Sequence, residues 1–171
     1  MVVPVPDASL APDVAGSCLG CRTIFLLPRE PLDPGIAGGR AAAALCSRCG
    51  GLVVAVDACA DRLARMVDTL RSADARRRAT VRALAVSWRS VEPSPLAALA
   101  ELGPVSPELV DDLGVTGAPI SVRIAVGVLL ISVLVPLLDA AATDEEAAPA
   151  AQRILADRVA AMASLPVPQP A

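Results

Sequence analysis

Two C-x2-C pairs, Cys18 with Cys21 and Cys46 with Cys49, constrain this chain more than any other feature of it. Zinc takes four ligands in a tetrahedron with sulfur about 2.3 Å from the ion, and a C-x2-C turn aims two thiolates at one point. Two such turns complete a shell. The chain has no histidine, so four cysteines are the only zinc site it can build without carboxylates. Gly20 lies inside the first pair, and Gly50 and Gly51 follow the second, where backbone amides must turn toward sulfur. A structural zinc ion is the expected use of Cys18, Cys21, Cys46 and Cys49. The competing readings are a thioredoxin-like redox pair, an iron–sulfur cluster, and four thiols without a ligand. The redox pair lacks its βαβ setting and a helix start at the motif. Cys59 is expected as a small buried residue, not a fifth ligand.

A closed four-sulfur shell leaves no coordination position for water, so the metal is expected to fold its module and not to catalyse. The missing histidine also removes the commonest general base and every nucleophile–histidine pair. No phosphate loop or open metal site can be assembled either, and the expectation is a protein that is not an enzyme. The first residues, "MVVPVPDASLAPDVAG", have neither the basic start nor the long apolar run of a secretory signal. A cytoplasmic protein with reduced cysteines is expected.

Around the cysteines the chain is β-like. "RTIFLL" (22–27) and "LVVAV" (52–56) are short runs rich in apolar and β-branched residues, separated by a turn-rich stretch at 28–40 with three prolines and three glycines. "CLGCRTIFLL", that loop and "ALCSRCGGLVVAV" together resemble the zinc-ribbon superfamily. The stretch after the second pair is similar to the end of ribbons of the transcription-factor-B type. The resemblance covers residues 18 to 56 only. It implies two or three strands around zinc, with a treble clef, whose second cysteine turn feeds a helix, as the alternative. Both are widely used to touch nucleic acids or proteins.

Beyond the ribbon the period changes. Val56, Ala60, Leu63, Val67, Leu70, Asp74, Arg77, Val81, Leu84, Trp88 and Val91 alternate at spacings of four and three, a heptad seam with polar residues at its middle. One long coiled-coil-like helix is expected, or two broken near 72–78, ending before Pro93 and Pro95. Further helices follow. "PLAALAELG" would stop at Gly103, and "SPELVDDLG" would run from Ser106 to Gly114. A very apolar helix at 119–142 and a last one striped by Leu155, Val159 and Met162 complete the set. The fold class is therefore mostly α: a lead-in at 1–16, a β ribbon at 17–56, an all-helical domain at 57–165 and a tail at 166–171.

Three functional expectations follow. With 15 basic and 18 acidic residues the net charge is −3, so any nucleic-acid contact must be local. Between Arg62 and Arg89 eight arginines face only Asp68 and Asp74, a local charge of +6, densest at Arg76, Arg77 and Arg78 with Arg82 beyond. An accessory or regulatory protein gripping nucleic-acid backbone through these residues and the ribbon is the leading expectation; a solvated helix face is its bland counterpart. With Phe25 and Trp88 as the only aromatics, base stacking has little to use. The second expectation is an adaptor pairing the 56–91 helix with a protein partner or another copy. The third is a membrane anchor: residues 120 to 138 carry one charge, Arg123, and just reach the length of a bilayer core. Acidic flanks and the lack of an aromatic belt favour a buried core helix instead.

Overall fold

The computed structural model describes residues 14–27, 43–56 and 59–165. Most of the lead-in, the turn-rich stretch and the tail lie outside the described residues. Among the described residues four short strands come first: β1 (Val14–Cys18), β2 (Ile24–Leu27), β3 (Ala43–Leu45) and β4 (Leu52–Val56). They form one antiparallel sheet in the order β2-β1-β4-β3. The topology is two hairpins side by side, each with a cysteine pair at its turn. Because β1 and β4 pair antiparallel through Cys18 and Val53, both turns emerge at the same end of the sheet.

Strand β1 begins three residues inside the expected lead-in. Its sequence, VAGSC, has little intrinsic strand preference, and its state is imposed by pairing on both sides. Alternation then assigns the two faces. Ala15, Ser17, Ile24, Val54 and Val56 are buried toward the helices, and Cys18, Cys46 and Val53 form a small cluster on the other face with Cys21 and Phe25 packed against it.

Six helices follow among the described residues: α1 (Cys59–Ser72), α2 (Ala75–Val91), α3 (Pro95–Val105), α4 (Pro107–Leu113), α5 (Ile120–Ala141) and α6 (Ala147–Ala163). The heptad seam is thus two helices. Asp74 ends the first and caps the second, its Oδ1 accepting the Arg77 backbone N–H at 2.7 Å. Val56 of the seam belongs to β4, and Ala60, Leu63, Val67 and Leu70 are buried within this chain, where α1 packs against α6, α4 and α5. Helix α3 passes through Gly103 and Pro104 to end at Val105, two residues beyond the expected stop. Pro104 lies in its last turn, and Ser106 closes the helix by donating its backbone N–H to the Leu102 carbonyl at 2.8 Å.

Helix α5 is the axis of the body. It contacts α1, α2, α3 and α6 as well as β1 and β4, and from Ala125 to Leu130 every residue is buried. It is long and apolar enough to cross a membrane, with mean hydropathy 2.4 over its best window, yet 67% of that window is buried inside the chain. Gly127 lets α3 cross it closely, since a Cβ there would overlap the Pro95 carbonyl. Ala15, Ile24, Val54 and Val56 belong to the same apolar core as the helical leucines, so the sheet has no separate core on this face.

Candidate metal centre

Each cysteine pair is held by the same local device. In the first turn the Cys18 N–H donates to the Thr23 carbonyl at 2.9 Å and the Arg22 N–H to the Cys18 carbonyl at 3.1 Å. In the second the Cys46 N–H donates to the Gly51 carbonyl at 2.7 Å and the Gly50 N–H to the Cys46 carbonyl at 2.8 Å. The matching residues, Arg22 and Gly50, both have positive φ, 59° and 72°. Glycine takes that conformation freely, whereas Arg22 carries the steric cost of a Cβ in the left-handed region.

These turns bring all four sulfurs together. The Sγ atoms of Cys18, Cys21, Cys46 and Cys49 lie within 4.8 Å of one another, with Cys18 and Cys49 3.5 Å apart and Cys21 and Cys46 3.7 Å apart. A tetrahedron with sulfur at the zinc distance has edges of about 3.8 Å, so the set fits an ion at its centre. The same separations are far beyond a sulfur–sulfur bond, and all five cysteines are free thiols. Backbone N–H groups point at the sulfurs: Cys21 to Cys18 at 3.5 Å, Arg48 to Cys46 at 3.4 Å and Gly51 to Cys49 at 3.3 Å. Such donors stabilise thiolates and partly offset the charge that four of them would carry.

Burial grades across the cluster. Cys18 and Cys46 are buried, Cys21 is half-buried and Cys49 is exposed. Gly20 and Gly51 seal one side: a Cβ on Gly51 would sit 3.2 Å from the Cys49 sulfur and 3.3 Å from that of Cys18, and one on Gly20 would sit 3.4 Å from Cys49. Burial raises the Cys18 pKa to about 12 in the metal-free thiol form. Burial acts on Cys21 in the same direction, but hydrogen bonds outweigh it, first from the Thr23 side chain, whose Oγ1 lies 3.1 Å from the sulfur, and bring Cys21 to about 6. The four cysteines could hold a metal ion. Cys59 stands outside the cluster at the start of α1; burial pushes its pKa to about 12, making it an inert packing residue.

The second turn leads into β4 and not into a helix, which is ribbon-like geometry. Set against known protein families, curated proteins and solved structures, the chain matches none.

The four arginines expected to grip phosphate have different surroundings. Consecutive helical residues point about 100° apart, so Arg76, Arg77 and Arg78 diverge. Arg77 bridges to Glu108 at 2.9 Å, and Arg82 to Asp139 at 2.9 Å. Arg78 turns back on the end of α1, donating to the Arg71 carbonyl at 3.2 Å and to that of Ala73. Arg76 is exposed at the start of α2.

Sequence reasoning passed over Thr23, which carries no local signal of its role, and Arg48. The Arg48 side chain leaves the second cysteine turn and donates to the Met162 carbonyl and, at 2.6 Å, to the Leu165 carbonyl. It ties the candidate metal centre to the last turn of α6.

Proposed function

We propose that this chain is a non-enzymatic zinc-ribbon protein with an accessory or regulatory role, in which zinc bound by Cys18, Cys21, Cys46 and Cys49 holds the sheet and, through it, the helical body. The observation that carries this reading is the four-sulfur set at tetrahedral spacing, sealed by Gly20 and Gly51. Zinc is favoured over softer or redox-active occupants by a small sheet with hairpin turns on both sides, the usual setting of structural four-cysteine sites. With every position filled by sulfur, the ion has no place for a substrate. Purified, reduced protein should contain one equivalent of zinc, and each single Cys→Ser substitution within the set should abolish tight retention. A substoichiometric metal content, or iron in its place, sinks this reading.

The partner proposed is nucleic-acid backbone, contacted by the outer face of α2. The bridges of Arg77 and Arg82 leave their side chains 41% and 45% exposed, and exposed ion pairs are worth only about 0–1 kcal/mol, so a phosphate can compete for both. With Arg76 these give at most about three phosphate contacts, spread around α2, and a modest salt slope. Absence of DNA or RNA binding by the zinc-loaded protein at low salt rules it out. Burial of two thirds of the α5 window supports that helix as the core of a soluble body, and recovery of the protein in the membrane fraction would overturn this.

A further inference from the structure

Most arginines in the helical body are spoken for, on carbonyls or carboxylates of the same chain. Arg76, Arg89, Arg123 and Arg158 are different, and of these Arg89 on α2 and Arg158 on α6 lie at one place. Among the described residues neither guanidinium has a hydrogen bond or an ion pair, and the Arg158 Nε is buried with no partner at all. A buried, unsatisfied donor on a cation is costly, and native structures keep few of them. Both side chains line one cavity of about 210 Å3 where α2, α5 and α6 meet. No carboxylate lines that cavity. Three acids nearby in sequence or contact have other partners: Glu101 accepts the Trp88 indole N–H at 2.7 Å, Asp139 takes Arg82, and Asp157 pairs with Arg153 at 3.7 Å.

Two arginines without a carboxylate partner on the wall of one cavity give it a positive potential that a single anion would relieve. The rest of the wall decides what kind of anion. Trp88, Ile131, Val135 and Met162 contribute apolar surface, while Ser132 adds a hydroxyl already committed to the Val128 carbonyl at 3.0 Å. The volume falls below the range of about 300–1,000 Å3 usual for drug-sized ligands. We propose that this cavity is a binding site for a small amphipathic carboxylate, an unbranched aliphatic acid whose carboxylate is shared by Arg89 and Arg158 and whose chain lies against Trp88, Ile131 and Met162. Planar guanidiniums recognise carboxylates through paired hydrogen bonds, which a point charge could not orient. The site stands apart from the cysteine cluster and does not rest on zinc being bound.

The chain carries its own reporter, because Trp88 is the single tryptophan and there is no tyrosine. Fluorescence of the intact, zinc-loaded protein is titrated with butyrate, pentanoate, hexanoate, hexanol and inorganic phosphate, with ligand-observed NMR as an independent readout. Saturable binding of the acids is expected, tightening about fourfold for each added methylene, with hexanol and phosphate far weaker. Arg89→Gln and Arg158→Gln should each weaken hexanoate about tenfold or more, and Arg123→Gln should leave it unchanged. Arg89 is exposed, so its variant decides the matter even if Arg158→Gln fails to fold. Any of four results overturns the proposal: no saturable binding of any acid, equal binding of hexanol, phosphate binding as tight as hexanoate, or wild-type affinity in Arg89→Gln.

Discussion

At the scale of single residues, the cysteine cluster shows how much work falls to positions without functional groups. Gly50 and Gly51 are neighbours with different reasons to be glycine. Gly50 has φ +72° and nothing within 4 Å of where a Cβ would stand, so Gly50→Ala is purely a backbone penalty, about 1–2 kcal/mol of stability with metal affinity little changed. Gly51 has ordinary φ, but its Cβ would press on the sulfurs of Cys18 and Cys49 at 3.3 and 3.2 Å. Gly51→Ala should therefore weaken zinc retention against a competing chelator by tenfold or so, by spreading two ligands from their tetrahedral positions. Competition titration and thermal melts of the two variants separate the effects; equal metal affinities would show that the seal at Gly51 does not matter. The four clustered cysteines were legible because their spacing encodes the turn. Thr23 was not, because its role depends on the hairpin returning past Cys21, which no local pattern announces.

At the scale of elements, several arginines among the described residues bind carbonyls at the ends of other helices. Arg62 donates to the Leu113 carbonyl and Arg65 to that of Asp112 at 3.3 Å, at the end of α4. Arg71 reaches the Thr143 and Glu145 carbonyls, at 3.3 and 2.8 Å, beyond the end of α5. Arg78 closes α1 and Arg48 closes α6. Arg62, Arg65, Arg78 and Arg48 each place a cation at the negative end of a helix and satisfy carbonyls that have no partner inside it, whereas Arg71 binds the turn between α5 and α6. A charge count along the sequence cannot distinguish such a cap from a phosphate contact, because the carbonyl belongs to an element elsewhere in the chain. The break between α1 and α2 was easier to foresee, since Asp74 and Arg77 interrupt the apolar seam, whereas β1, written in alanine, glycine and serine, gave no periodic signal. Arg48→Met should remove both bonds to the end of α6, costing about 1–3 kcal/mol, while leaving zinc content at one equivalent. Hydrogen exchange would locate the change as faster exchange in the last turn of α6. Unaltered protection there would mean the Arg48 tie contributes nothing.

At the scale of the whole molecule, the sequence divides into a β part and an α part, but the packing does not. Ala15, Ile24, Val54 and Val56 from the sheet are buried in the same core as Leu63, Met66, Leu129 and Leu134 from the helices, and α5 touches β1 and β4 directly. A sheet of four short strands has too little burial of its own to persist without a staple. If zinc supplies that staple, its removal exposes one wall of the helical core as well. Structural zinc sites contribute about 10 kcal/mol or more, and for a chain of this length each kcal/mol moves the melting temperature by about 2–4 °C. Chelation should therefore lower the melting temperature by more than about 10 °C, with helical circular dichroism and metal release following one transition. Acid should do the same, because four thiolates must stay deprotonated to bind: metal-derived stability is present at neutral pH and is lost as protons compete for sulfur. A metal-independent ribbon on an autonomous helical domain makes the opposite prediction, a helical signal that melts at the same temperature with and without zinc. The shared core argues against that outcome, since Val54 and Val56 cannot leave the helices without uncovering α5.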